Sequence, residues 1–339
     1  MDYRRLGQSG LKVSEVCLGT MAFGSRADEA ESLRLVDLAL DGGINFFDTA
    51  DGYGNGASET ILGKALKGRR QQAVVATKFF NPMGPGPNDS GMSRVHIMNA
   101  IEDSLRRLQM DAVDIYYIHH VDIQTPLEEM LRALDDLVHH GKVRYIACSN
   151  YQAWRLMEAL WTSEVHNLAK FVCYQPQYSL VVRDIEQELV PACLHKGLGI
   201  VPWAPLASGF LAGKYQPGQR SVAGTRSKDG WAWFGRFFAD NADDTLATLL
   251  EVAQELGKTP AQVALRWVLE QPGVSSVIAG VRTAQQLRDN LGAAGWRLSG
   301  DVLDRLNKVS WLPPRYPESF EHNMHDRRNQ AIDLPGLKN

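Results

Sequence analysis

"FFDTADGYGNGASE", residues 46 to 59, decides the fold because it admits two incompatible readings. Gly52, Gly54 and Ala57 satisfy the spacing G-x-G-x-x-G/A, which between a strand and a helix makes a loop for a dinucleotide pyrophosphate. The same stretch carries a carboxylate, Asp48, and a phenol, Tyr53, just past a strand end, where a closed barrel keeps its chemistry. A phosphate loop needs backbone N–H groups free of competing negative charge, and here Asp48 and Asp51 flank the turn. About 20 positions on, where such a loop wants an acidic partner for the ribose, "VVATKFF" brings Lys78 instead. We therefore read the glycines as letting a tight loop carry Tyr53 over a barrel mouth.

On both sides of this stretch, short apolar runs alternate with longer amphipathic ones from end to end. The runs lie at 16–19, 44–48, 73–78, 113–119, 143–149, 171–175, 199–203 and 277–280. They are brief, β-branched or aromatic, and bounded by turn residues, as strands buried on both faces should be. Between them "DEAESLRLVDLALDGG" is helical with a Gly-Gly stop, and "SRVHIMNAIEDSLRRLQM" opens on a Ser93 cap. "TPLEEMLRALDDLVHHGK" and "TPAQVALRWVLEQPG" both predict a Thr cap with Pro at the first helical position.

Eight strands in strict alternation with helices predict a (β/α)8 TIM barrel, for which roughly 250 residues are typical. A doubly wound open sheet shares the alternation, but eight repeats without a domain break disfavour it. The reading is one domain over 1–339, with the barrel at about 13–295 and extra helix and tail at 296–339. "YRRLGQSGLKVS" predicts an N-terminal β-hairpin plugging the barrel floor. A long Gly- and Trp-rich loop, 208–243, follows strand 7 and leads to an extra helix at about 244–256. "LSGDVLDRLNKVS" predicts a second extra helix before a Pro-rich, charged tail from Trp311.

Composition excludes several classes. The 339 residues are 44% hydrophobic, with a formal charge of −3 and scattered Lys and Arg, so no basic face for nucleic acid or an anionic membrane is expected. No run approaches the roughly 20 apolar residues of a membrane span. Cys17, Cys148, Cys173 and Cys193 make no C-x-x-C pair, and the first three lie in apolar runs, as reduced core thiols of a cytoplasmic protein would.

Read together, the strand ends supply a site. Strand 2 ends at Asp48, strand 3 at Lys78 and strand 4 at His119, with Tyr53 on the loop after strand 2. Tyrosine alone is a poor acid, with a pKa near roughly 10. A nearby Lys78 is expected to lower it, Asp48 to hold Lys78, and His119 to orient a substrate oxygen.

With those residues in place the chain resembles an aldo-keto reductase over nearly its whole length. The motifs are "GTMAFG", "INFFDTADGYGNGASE", "VVATK", "VDIYYIHHVD", "IACSNY", "YQPQYS", "VPWAPLASGFLAGKY" and "VIAGVRTAQQLRDNL". The resemblance implies a catalytic tetrad of Asp48, Tyr53, Lys78 and His119, and an extended NADP(H), with NAD(H) as the alternative. It implies carboxamide contacts from Ser149, Asn150 and Gln175, and ring stacking by Trp203. It places Ala204, Pro205, Leu206, Ser208, Gly209, Leu211 and Lys214 along the pyrophosphate. Gly280, Arg282, Gln286 and Asn290 fall about the adenine and 2′-phosphate, and Gly19, Thr20, Met21, Asp48 and Asp289 are further implied cofactor contacts. Some branches of the family carry Lys and Arg where Gly280 and Gln286 stand, so a 2′-phosphate leans on Arg282. The loop "SKDGWAWFGRFF" resembles longer bacterial-type and channel-subunit-type branches.

The implied activity is reversible reduction of an aldehyde or ketone; the alternative is a non-catalytic NADP(H)-binding regulatory or channel-associated subunit. Phe23, Phe79, Phe80, His119, Trp231 and Trp233 are candidate walls of an apolar substrate pocket. "HHVD" (His119, His120, Asp122) resembles a metal cluster on a barrel rim, but no further ligand comes from the other strand ends, so no metal is expected. A small-molecule carbonyl is the expected partner; self-association is left open.

Overall fold

The computed structural model describes residues 1–222, 234–238 and 240–321. Two strands come first, β1 (Tyr3–Arg5) and β2 (Lys12–Ser14), paired antiparallel as a hairpin. Eight parallel strands follow: β3 (Val16–Gly19), β4 (Phe46–Asp48), β5 (Val74–Phe79), β6 (Val113–Ile118), β7 (Val143–Ser149), β8 (Phe171–Gln175), β9 (Gly199–Ile200) and β10 (Val277–Gly280). β10 pairs with β3, and each later strand with the one before it. The ring closes between β9 and β10: Gly273 and Ile200 exchange bonds with their neighbours through Ile200 N–H to Gly273 O and Ser275 N–H to Ile200 O, and Ile278 N–H reaches Pro202 O. The expected (β/α)8 barrel is therefore the fold.

The helices covering it are α1 (Glu29–Asp41), α2 (Ala57–Ala65), α3 (Arg94–Leu108), α4 (Leu127–His139), α5 (Ala153–Val165), α6 (Leu189–Lys196), α8 (Pro260–Glu270) and α9 (Ala284–Leu291). α7 (Ala242–Leu256) and α10 (Gly300–Val309) are the two extra helices. Local chemistry sets their ends. Ser93 accepts from His96 N–H, and Thr259 with Gln262 closes a full capping box behind Pro260. The start of α4 differs from expectation by one residue. Pro126 takes the cap position, and the Thr125 hydroxyl is drawn instead to Asp122.

Strand alternation divides the core into two layers. Val75, Phe79, Tyr116, Ile118, Ile146 and Tyr174 face the helices. Cys17, Phe46, Val74, Ala76, Ile115, Tyr117, Ala147, Cys173, Val201 and Ile278 fill the barrel, with Leu6 and Val13 of the hairpin closing it from below. The hairpin is thus a floor, as its sequence predicts. β9 is shorter than the expected 199–203 because Pro202 has no N–H for the ladder.

Leu6 is fully buried between the two strands of the hairpin, packed against the layer that fills the barrel. Leu6→Ala should cost about 2–5 kcal/mol in urea unfolding; a loss under about 0.5 kcal/mol would mean the barrel does not depend on its plug.

Candidate active site

The inward positions of the strands converge at the C-terminal rim, where parallel barrels place their chemistry. Asp48 is the last residue of β4, and Lys78 lies two residues past inward-facing Ala76 on β5. Both are buried, Lys78 fully. The ammonium donates to Asp48 Oδ1, to Thr49 O at 2.8 Å and to the Tyr53 hydroxyl at 3.4 Å. The second oxygen of Asp48 accepts from Gln175 Nε2 at 2.8 Å. His119, just past β6, presents its ring edge-on to Tyr53 with centroids 5.7 Å apart. All four residues predicted for the tetrad are therefore in one place.

Electrostatics here depart from the sequence expectation at Tyr53. Burial pushes the phenol up, Lys78 pulls it down, and Asp48 adds to the rise; the net direction is above the ordinary value. Desolvation of the phenolate outweighs the single ammonium. Burial also opposes the charge on Lys78, but Asp48 and Tyr53 more than offset it, so the ammonium is held above its usual range. His119 moves the other way. Burial, then Lys78, then His120 push it well below the ordinary imidazole value, so it is neutral at neutral pH.

The residues expected around a dinucleotide divide into those at the mouth and those elsewhere. Trp203 is half-buried, its indole N–H donating to Asn150 Oδ1 at 3.2 Å, while Asn150 Nδ2 donates to His119 O at 3.0 Å. Ser149 Oγ donates to Gln175 O, which ties those two strand ends together. The next loop is strained: Ala204, Ala207 and Ser208 all have φ near the left-handed region (51°, 47° and 57°), and Gly209 follows at 102°. Such runs persist where the surroundings hold them for a purpose, and successive left-handed residues turn backbone N–H groups to one side. Gly209 and Gly280 have open space where a Cβ would stand, and Lys214 is exposed. Arg282 is half-buried, with no carboxylate paired to it among the described residues, and its N–H is held by Gln286 Oε1. An open, strained loop with Lys214 exposed, and an Arg282 with no carboxylate partner among the described residues, are a fit for an extended anionic cofactor.

Other expected contacts have buried side chains or lie at the edge of the mouth. Phe79 is fully buried on the helix side of β5, stacked on Tyr116 at 4.7 Å, and Phe23 is fully buried in the same layer. Neither walls a pocket. Leu211 is fully buried in that layer too, and Pro205 is buried. Thr20 has no exposed surface, its hydroxyl lying between Asp48 O and Ser58 Oγ. Gly19 is needed because a Cβ would fall 2.6 Å from Ile278 Cγ2, whereas Met21 is exposed. Asp289 accepts from Thr259 and Gln262 of α8, and Asn290 is buried. Phe80 is half-buried at the rim, edge-on to His120. Trp231 and Trp233 lie outside the described residues. Asp122 clasps Met92 N–H, Gln124 N–H and Thr125, so the "HHVD" triplet does not converge as ligands; among the described residues no three His, Cys, Asp or Glu side chains do.

Sequence reasoning missed several residues around the site. Glu59, fully buried, receives Thr77 Oγ1 and Arg107 Nε, and Ser58 links Thr20 to Thr49. Glu31 accepts from Ala284 N–H at the start of α9. Asn81 lies 3.3 Å from His119 Nδ1. A buried polar residue flanking a catalytic loop was the available signal for Ser58 and Glu59; nothing local marks Glu31.

The comparisons agree with this geometry. The model of the Aldo/keto reductase family matches residues 15–310, and the chain belongs to that family. It is 41% identical over 326 residues to an uncharacterized oxidoreductase, YrpG, of Bacillus subtilis (strain 168), covering 91% of this chain and 96% of that protein. It is 37% identical to proteins named probable voltage-gated potassium channel subunit beta, from Arabidopsis thaliana over 328 residues and Oryza sativa subsp. japonica over 330, in each case covering 94% of this chain and 100% of the relative. No helix among the described residues is long and apolar enough to cross a membrane.

Asp51, beside the tetrad, gives a pH signature. It is fully buried with Oδ2 unpartnered, and burial, then the charge of Glu59, push its carboxyl from 3.8 to about 7. Between those values the native state holds the proton that the unfolded state has lost, so stability falls as pH rises from about 4 to about 7. Asp51→Asn should flatten that decline and be more stable at about pH 8 by at least about 1 kcal/mol. Urea unfolding at several pH values measures it; an unchanged decline would clear Asp51 as its cause.

Proposed function

We propose that this chain reduces an aldehyde or ketone to the alcohol, reversibly, with NADPH. The observation that carries the reading is the buried chain Asp48–Lys78–Tyr53 facing a neutral His119 across the barrel mouth. The nicotinamide, when bound, supplies the hydride. Everything else is done by side chains. Tyr53 remains protonated in the resting site because burial holds its proton, so it starts the reduction as a donor. Lys78 is kept charged by Asp48 and stabilises the phenolate left when that proton has gone. His119, uncharged, orients the carbonyl oxygen by a hydrogen bond without competing as an acid. In the reverse direction the phenolate takes the alcohol proton, so oxidation gains at high pH.

The fit for NADP(H) rests on Trp203 and Asn150 for the nicotinamide end, the loop from Ala204 to Gly209 with Lys214 for the pyrophosphate, and Gly280, Arg282 and Gln286 for the adenine end. Four buried, unpaired cysteines support a reducing, cytoplasmic setting. The alternative is a nucleotide-binding regulatory subunit, as the names of the plant relatives suggest for those proteins. An intact tetrad serves both, and multiple turnover separates them.

NADPH consumption over a panel of aldehydes and ketones is the test. Tyr53→Phe should retain cofactor binding and lose at least about 100-fold in kcat; undiminished turnover would sink the assignment. Cofactor choice has its own check, since Arg282 attracts a 2′-phosphate while Glu31, seated on the start of α9, repels one. Arg282→Ala should raise KM for NADPH by about 10-fold or more and leave NADH nearly unaffected, whereas Glu31→Gln should lower KM for NADPH. Equal effects on both cofactors would remove these residues from phosphate recognition.

A further inference from the structure

We propose that Asn81 fixes the tautomer of His119, keeping the imidazole proton on Nε2 so that this nitrogen can donate to the substrate oxygen. The proposal rests on the reductase reading above and adds to it a positioning residue outside the tetrad.

A neutral imidazole has one donor and one acceptor nitrogen, and which is which is set by the partner of the nitrogen turned away from the substrate. The Nδ1 of His119 lies 3.3 Å from Nδ2 of Asn81. With the NH2 of the amide turned to the ring, a group that can only donate, Nδ1 accepts and the proton sits on Nε2. Among the described residues no other group hydrogen-bonds the ring. Its remaining neighbours are Tyr53, edge-on at 5.7 Å, and His120, stacked at 4.5 Å with 14° between the planes. The charges facing it are the Lys78 ammonium and, beyond it, Asp48; both belong to the pair already described, and no carboxylate is hydrogen-bonded to the ring.

Asn81 is itself held in position. The chain leaves β5 through Phe80, at a φ of 151° that few residues with side chains adopt, and Asn81 comes to rest against Gly52. A Cβ at Gly52 would fall 2.7 Å from Asn81 Nδ2 and 3.1 Å from its Cβ. The first glycine of the "GYGNG" stretch therefore makes room for the amide. Gly52, next to Tyr53 in the chain, and Asn81 form a single device that aims the histidine.

The test reads the tautomer directly, by nitrogen-15 NMR of the histidine rings in the full chain at about pH 7.5, with His119→Gln assigning the signal. Wild type should show a neutral ring protonated on Nε2. Asn81→Asp, nearly isosteric but acceptor-only, should move the proton to Nδ1 or protonate the ring; Asn81→Ala should leave a mixture of tautomers. kcat should fall on the order of 10-fold in Asn81→Ala and further in Asn81→Asp, with the Kd of the cofactor unchanged. Asn81→Asp should also gain a pH dependence of kcat/KM near neutrality that Asn81→Ala lacks. A wild-type ring protonated on Nδ1, or a ring pattern unaltered in both variants, would overturn the proposal. If Asn81→Asp does not fold, the wild-type spectrum and Asn81→Ala decide it. A chain that binds cofactor but never turns over would fail the reductase reading while leaving the tautomer measurement intact.

Discussion

The site depends on one buried ion pair, Lys78 with Asp48. Neither charge could be left in a barrel without the other, because an isolated ion loses far more in desolvation than any single hydrogen bond returns. The pair is tolerable because its remaining valences are met: Lys78 also reaches Thr49 O and Tyr53, and Asp48 also receives Gln175. Those partners come from β4, the loop after it, β5 and β8, so the barrel must close before the charges can be satisfied. The layer of Ala76, Tyr117, Ala147 and Cys173 beneath, sealed by Leu6 and Val13, keeps water from reaching the pair from the floor.

The architecture and the convergence of Asp48, Lys78 and His119 were legible in the sequence because they follow from strand parity. Once Asp48, Lys78, His119, Ser149, Gln175 and Trp203 are placed at successive strand ends, a period of two turns them all inward. The same parity condemns Phe79 as a pocket wall. If Lys78 points in, its neighbour must point out, and Phe79 does, onto Tyr116. Resemblance alone could not see this, since a family motif says which residues lie near a cofactor and not which have exposed side chains. Thr20 and Leu211 likewise have buried side chains: the hydroxyl of one bonds Ser58 and the other lies in the outer layer. Residues that act across the fold left no local trace. Glu31 meets Ala284 from 253 positions away, and no pattern near either announces the contact.

Two glycines of the 46–59 stretch have structural duties. Gly52 makes room for Asn81, and Gly56, at φ 87°, caps α2 in a left-handed conformation where a Cβ would fall 2.6 Å from Arg107. Arg107 is drawn there by Glu59, whose other oxygen accepts from Thr77 beside Lys78. The turn bearing Tyr53 is thus fixed at both ends by polar contacts to β5 and α3. That rigidity matters because the phenol must stay within reach of Lys78 whether or not a ligand is present.

Lys78 influences two titrating groups in opposite senses, and this divides the labour between them. For Tyr53 an adjacent ammonium favours the anion, partly offsetting a burial that holds the proton on. For His119 the same ammonium disfavours a second cation, adding to a burial that already keeps the ring neutral. One charge therefore makes the phenol easier to deprotonate and the imidazole harder to protonate. Were His119 a cation, it would be the stronger acid at the carbonyl oxygen and Tyr53 would become a spectator. In the proposed reduction a neutral ring can only share a hydrogen bond, and proton transfer would fall to the residue whose conjugate base Lys78 can stabilise. The distinction between proton donor and orienting group thus follows from where a single buried lysine is placed.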